Sequence, residues 1–120
     1  MKKILIVEDS RPIADAIKII LESEGFETIH TNRGNNVLDI AKKEKIDLII
    51  LDLMMPGTNG VTVFKNLKKD PETKNIPVII LSAKADAIEK EEKIKSCDKF
   101  IPKPFENKTI IAEVKKLLKE

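Results

Sequence analysis

The sequence predicts an α/β fold, a doubly wound parallel sheet with helices on both faces, and three observations carry that prediction. Short runs such as Ile4-Leu5-Ile6-Val7 and Val78-Ile79-Ile80-Leu81 are apolar at every position, the pattern of strands buried on both sides. Between them apolar residues recur at helical spacing, so strand and helix patterns alternate five times along the 120 residues. No repeat, linker or low-complexity tract interrupts the alternation. Parallel strands need crossover connections, and crossover helices are what bury such a sheet.

The elements follow in order. Ile4-Leu5-Ile6-Val7 is the first strand. Ile13, Ala14, Ile17, Ile20 and Leu21 outline a helix that Ser10 is placed to cap, with Pro12 in its first turn and Gly25 as its stop. Residues 26–31 form the second strand, on which His30, the only histidine, is expected to be an ordinary surface or half-buried residue. Val37, Leu38 and Ala41 mark the second helix, and residues 48–51 the third strand. Pro56-Gly57 and Gly60 turn the chain into a third helix carried by Val61, Phe64 and Leu67 and ending near Asp70-Pro71. Pro77 opens the fourth strand. Residues 88–94 read I-E-K-E-E-K-I, and Glu91 falls where an apolar contact would complete the stripe, so the fourth helix is expected to be weakly anchored. Phe100-Ile101 is a short fifth strand, and Ile110, Ile111, Val114, Leu117 and Leu118 outline a fifth helix.

Composition bounds the possibilities further. The length fits one domain, residues 1–120, able to bury a core without a metal or disulfide scaffold. Lys and Arg number 22 against 20 Asp and Glu, and the net charge of +2 is spread along the chain, which gives no electrostatic footprint for nucleic acid or an anionic membrane. Cys97 is alone, so no intramolecular disulfide is possible, and it is expected to be a small buried residue rather than a redox centre. Only four apolar residues separate Lys3 from Glu8, too few for a signal peptide or a membrane span, and the expected location is cytoplasmic.

The candidate chemistry stands where the strands stop, because sites in open sheets of this class form at the carboxyl ends of strands. Glu8 and Asp9 follow the first strand, Asp52 the third, Ser82 and Ala83 the fourth, and Lys103-Pro104 the fifth. If these ends meet, three carboxylates face one ammonium, and like charges ~4 Å apart repel by roughly 4 kcal/mol at an effective dielectric of about 20. Such a pocket wants a divalent cation. Its donors are all oxygens, which favours Mg²⁺ over zinc or copper and leaves Mn²⁺ as the alternative. Magnesium commonly binds through a few carboxylates plus phosphate oxygens, so phosphoryl chemistry is the natural inference. Neither GxxxxGK followed by Ser or Thr nor GxGxxG is present, so nucleotide hydrolysis loses its support. Asp52 is placed instead as a carboxylate nucleophile able to form an aspartyl phosphate. Lys103 and the cation would neutralise the transferring group, and the Ser82 hydroxyl could hydrogen-bond an attached phosphoryl oxygen.

The segments IVEDS, LIILDLMMPGTNG, VIILSAKA and FIPKPF, in that order across nearly the whole chain, resemble the receiver domains of two-component response regulators. The resemblance implies the flavodoxin-like strand order 2-1-3-4-5 and a phosphorylation-dependent signalling switch. Asp52 would accept a phosphoryl group from the phosphohistidine of a sensor histidine kinase or phosphotransfer protein, or from a small phosphodonor. Carried over by residue, Asp9 and Asp52 would bind Mg²⁺ directly, Glu8 mainly through water, and Met54 through its carbonyl. Ser82 would move toward the phosphoryl group and Lys103 pair with it. Phe100 would be the rotating aromatic, and the Lys103-Pro104 bond cis. Movement of the fourth helix and fifth strand would then alter the surface seen by an output partner, in a monomer or a phosphorylation-dependent dimer.

Some positions depart from the family's commonest pattern. Ser96-Cys97 stands where receivers usually have Gly-Ala, and Glu8 keeps the first acidic charge with a longer reach. Met54 and Lys84 occupy positions that, by the resemblance, influence phosphoryl lifetime in receivers. Two other classes stay open. An Mg²⁺-dependent phosphohydrolase would use the same aspartyl chemistry, but haloacid-dehalogenase-like enzymes carry a second aspartate two residues on, where this chain has Met54. A receiver-shaped module working unphosphorylated through protein contacts is the other, and the intact acidic set argues against it. Met1 fits a true start, and the final helix ends where a linker to an output domain often begins, so a free-standing receiver and a piece of a larger regulator both fit.

Overall fold

The computed structural model describes residues 1–55, 57–83 and 97–119. Pro56, Lys84, Ser96 and the helix expected around Glu91 lie outside the described residues. Five strands form one sheet: β1 Lys3–Val7, β2 Glu27–Thr31, β3 Leu48–Asp52, β4 Val78–Ala83 and β5 Lys99–Lys103. They run parallel in the order β2-β1-β3-β4-β5, the flavodoxin-like arrangement. The described helices are α1 Arg11–Ser23, α2 Val37–Lys43 (after a 3-10 turn, Gly34–Asn36), α3 Gly60–Lys69 and α4 Asn107–Leu118. Four of the five expected helices are thus seen among the described residues.

Strand alternation divides the core into two. Leu5, Val7, Ile49, Leu51, Val78 and Ile80 point to the side where Val37, Ala41, Val61, Phe64 and Leu67 of α2 and α3 pack. Ile4, Ile6, Leu48, Ile50, Ile79 and Leu81 face Ala14, Ile17 and Leu21 of α1 and Ile110 and Val114 of α4. Burying each such side chain stabilises by ~2 kcal/mol, which lets the sheet tolerate ionisable groups at its carboxyl edge.

Local differences from the sequence reading have physical causes. Ser10 is the N-cap residue of α1, but its side chain makes no capping bond. A cap hydroxyl takes the N–H of the second or third helical residue, and the second is Pro12, which has none. α1 closes as expected at Gly25, φ +92°, with Phe26 N–H donating to the Leu21 carbonyl and Gly25 N–H to Glu22. Phe26, expected in the second strand, instead precedes β2 and is buried against the α1–α4 side. β5 is longer than expected and includes Pro102, which an edge strand accommodates because its outer side needs no donor.

After β3 the chain makes a two-residue antiparallel ladder, Met54–Met55 with Thr58–Asn59, before entering α3. Gly57 takes φ +72° between its arms. Asn59 caps α3, its Oδ1 accepting from Val61 N at 3.1 Å and Thr62 N at 3.3 Å. Gly60 N–H donates to the Leu53 carbonyl at 3.2 Å, and a Cβ on Gly60 would collide with the Leu53 backbone. The segment after Asp52 is therefore bound directly to the first turn of α3.

Candidate functional site

Register brings the strand ends together. Val7 lies opposite Leu51, so the next residues along, Glu8 and Asp52, emerge side by side from the two adjacent strands β1 and β3. Asp52 pairs with Leu81 and Ala83 with Lys103, which places the Ser82 and Lys103 strand ends in the same row. Glu8, Asp9 and Asp52 each offer a carboxylate oxygen within 4.8 Å of the others. Glu8 and Asp52 are buried, at 0% and 2% exposure, while Asp9 is exposed.

Lys103 Nζ sits between the two buried acids, 3.0 Å from Glu8 Oε1 and 3.1 Å from Asp52 Oδ2. The Asp52 contact is a hydrogen bond. The Glu8 contact has ion-pair distance without hydrogen-bond alignment, so charge attraction rather than directed bonding holds it. Met54 N–H donates to Asp52 Oδ1 at 3.2 Å, and Ser10 N–H reaches Glu8 Oε2 at 3.4 Å. Asp9 makes no hydrogen bond or ion pair among the described residues.

One ammonium does not balance this many acids. Burial, followed by the neighbouring Asp52 carboxylate, pushes Glu8 from 4.5 up to about 7, against the pull of Lys103. Burial also works against the charged form of Lys103, but the neighbouring Glu8 and Asp52 carboxylates outweigh it, so its pKa rises above the usual lysine value. Without a cation, then, the pocket disfavours the charged form of Glu8. The donor set is all oxygen, clustered and short of positive charge, and it fits a hard divalent ion.

Ser82 Oγ is buried and has no hydrogen-bond partner among the described residues. A buried hydroxyl left unpaired at the edge of a charged pocket is a donor waiting for an acceptor. Phe100 is half-buried, lies opposite Ile80 and packs on the α2–α3 side of the core. Met54 is about half exposed. The Lys103-Pro104 peptide is cis, as the resemblance implied. A polar cleft of about 550 Å³ lies elsewhere, between the loop after β2 and the start of α3, and none of the strand-end acids lines it. Chemistry rather than cavity size locates the site.

Sequence reasoning missed one participant. His30 Nε2–H donates to the Glu8 carbonyl at 2.7 Å, while Glu8 N–H donates to the Thr31 carbonyl at 3.2 Å. The β1–β2 register that makes this possible is a property of the folded sheet, and no sequence signal marks a histidine beside an acidic turn on another strand.

Comparison with known proteins agrees with this geometry. Residues 4–115 match the family described as response regulator receiver domain. The chain is 36% identical over 119 residues to the phosphate regulon transcriptional regulatory protein PhoB of Pseudomonas aeruginosa, covering 98% of this chain and 52% of that protein. It thus spans about half the length of that curated relative. Among solved structures it is similar to a putative response regulator from Chloroflexus aurantiacus, at TM-score 0.90 and 28% identity over 99% of this chain and 98% of that one. It is also similar to the response regulator TrrA of Thermotoga maritima in complex with Mg²⁺-BeF, at TM-score 0.87 and 31% identity over 98% and 99% of the two chains. No helix among the described residues is long and apolar enough to cross a membrane. The chain belongs to the response regulator receiver domain family, the phosphorylation-dependent switches of two-component signalling.

Proposed function

We propose that residues 1–120 work as one cytoplasmic receiver unit that takes a phosphoryl group onto Asp52 from the phosphohistidine of a sensor histidine kinase or phosphotransfer protein. The observation that carries this is Asp52 itself, a buried carboxylate at the end of a central strand with Lys103 bonded to one oxygen and the Met54 N–H to the other. Both contacts fix its plane, and each oxygen retains a lone pair. An Asp52 oxygen forms the O–P bond as the donor's N–P bond breaks, and the departing imidazole nitrogen keeps the electron pair and takes up a proton.

Glu8, Asp9, Asp52 and the Met54 carbonyl are the groups that would hold Mg²⁺, which when bound supplies positive charge to the phosphoryl oxygens. The Thermotoga relative, solved with Mg²⁺, supports magnesium rather than manganese here. Lys103 is drawn from Asp52 toward the new anionic oxygens, and the Ser82 hydroxyl, without a partner among the described residues, gains an acceptor. Ser82 and Phe100 then carry the change toward the β4–β5 edge, where an output partner or a second receiver reads it as a population shift.

Incubation with Mg²⁺ and acetyl phosphate or a histidine kinase, followed by mass spectrometry, tests the proposal. A single phosphoryl adduct on Asp52, lost in Asp52→Asn, is expected. No adduct from either donor, or one that survives Asp52→Asn, overturns it, and sustained turnover of phosphate monoesters would favour a phosphohydrolase.

A further inference from the structure

The backbone of Glu8 is held from both sides by β2. Its N–H donates to the Thr31 carbonyl at 3.2 Å, and its carbonyl receives the His30 Nε2–H at 2.7 Å. A carbonyl can only accept, so the proton sits on Nε2 and the tautomer is set. The carbonyl that His30 grips belongs to the peptide joining Glu8 to Asp9, and the plane of that peptide fixes the direction in which Asp9 leaves the strand. This matters because the two acids are held so differently. Glu8 is buried beside Lys103, whereas Asp9 is exposed and has no side-chain partner among the described residues. Nothing on the Asp9 side chain orients it; only its backbone can.

We infer that His30 is a positioning residue for the cation site, acting through the Glu8 carbonyl to hold the Asp9 carboxylate where it meets those of Glu8 and Asp52. The inference rests on the cation reading given above. Removing the ring leaves the Glu8 carbonyl without its partner and lets the Glu8–Asp9 peptide rotate. Cation affinity then falls while the chemistry on Asp52, once the cation is bound, does not change. Groups that hold a metal ligand from behind are typically worth ~10-fold or more in affinity, and the lower end suits one acting through a backbone bond.

The test is a titration of the 120-residue chain with MgCl2, followed by NMR, in wild type, His30→Leu and His30→Gln, since a glutamine amide reaches about as far as Nε2 and restores the donor. The expected result is affinity about tenfold weaker in His30→Leu and within about threefold of wild type in His30→Gln. Acetyl phosphate labelling of His30→Leu should need more Mg²⁺ for half-maximal rate yet reach the wild-type rate at saturation. A purely structural residue would lower the plateau as well. In metal-free wild type, imidazole ¹⁵N shifts should show the Nε2–H tautomer with slow proton exchange. Equal affinity in wild type and His30→Leu, or His30→Gln as weak as His30→Leu, overturns the inference. So does the Nδ1–H tautomer in wild type, which stands as the deciding measurement if His30→Leu does not fold. Wild type that binds no Mg²⁺ overturns the cation reading itself, a result seen before any variant is compared.

Discussion

Replacing Glu8 by glutamine separates what the acidic pocket does to stability from what it does for binding. Glu8 is fully buried, and burial first, then Asp52, raises its carboxyl from 4.5 to about 7. The folded protein thus holds this proton more tightly than the unfolded chain. Its contribution to stability is fully present below pH 4.5 and is lost as pH rises through about 7. A shift of about 2.5 pH units at 1.36 kcal/mol per unit sets an upper limit of ~3 kcal/mol on the cost of ionising Glu8 in the metal-free fold. Glutamine avoids that cost but buries an amide needing partners of its own, an opposing ~1–2 kcal/mol. In chelator at about pH 8, Glu8→Gln should therefore be more stable than wild type by ~1–2 kcal/mol, or a few degrees in Tm. Near pH 4.5, where the ionisation cost is gone, the order should reverse and wild type should be the more stable by ~1–2 kcal/mol. Added Mg²⁺ should also reverse the order at about pH 8, because wild type gains stability by binding and the variant gains little. Urea unfolding followed by circular dichroism across this pH range, with and without Mg²⁺, measures each quantity. A difference between the two proteins that is independent of pH in chelator would refute the reasoning.

Ser82→Ala removes a buried hydroxyl that has no partner among the described residues, so the unphosphorylated protein should be unchanged or up to ~1 kcal/mol more stable; a clear loss in urea unfolding would show that Oγ is satisfied in solution. Gly60→Ala places a methyl against the Leu53 backbone and should destabilise by ~2 kcal/mol or more, with wild-type stability counting against the close approach. Thr73 is buried, and its hydroxyl donates to the Leu67 carbonyl near the end of α3 at 2.6 Å. Thr73→Val should therefore cost ~1–2 kcal/mol and Thr73→Ser much less, which denaturant midpoints can compare.

The acidic set and its partners were legible because each stands where an all-apolar strand run stops, and parallel strands deliver such ends to one edge. Glu8, Asp9, Asp52, Ser82 and Lys103 all carry that signature. What the sequence could not show depends on register or on short polar contacts between distant segments. His30 looks unremarkable until β2 is laid beside β1. Lys68 reads as a solvated helix lysine, yet its Nζ donates to the Lys74 and Ile76 carbonyls at 3.3 and 3.1 Å and ties down the loop ahead of β4. Ser10 shows the converse: its residue type signalled a cap, but Pro12 removed a donor that the cap needs.

The lysine that joins the two buried acids is 51 residues beyond Asp52 in the chain. It stands at the far end of β5, the last strand of this sheet along the chain and one of its edges. During translation, therefore, the carboxylates of β1 and β3 emerge long before their counter-charge. A nascent chain that stops short of residue 103 has the acids without the ammonium, and it loses the strand pairing that sets Lys103 against Ala83. Because such long-range pairing forms late, the joining of the two buried acids through one ammonium is a property of the finished sheet and of no shorter piece of it.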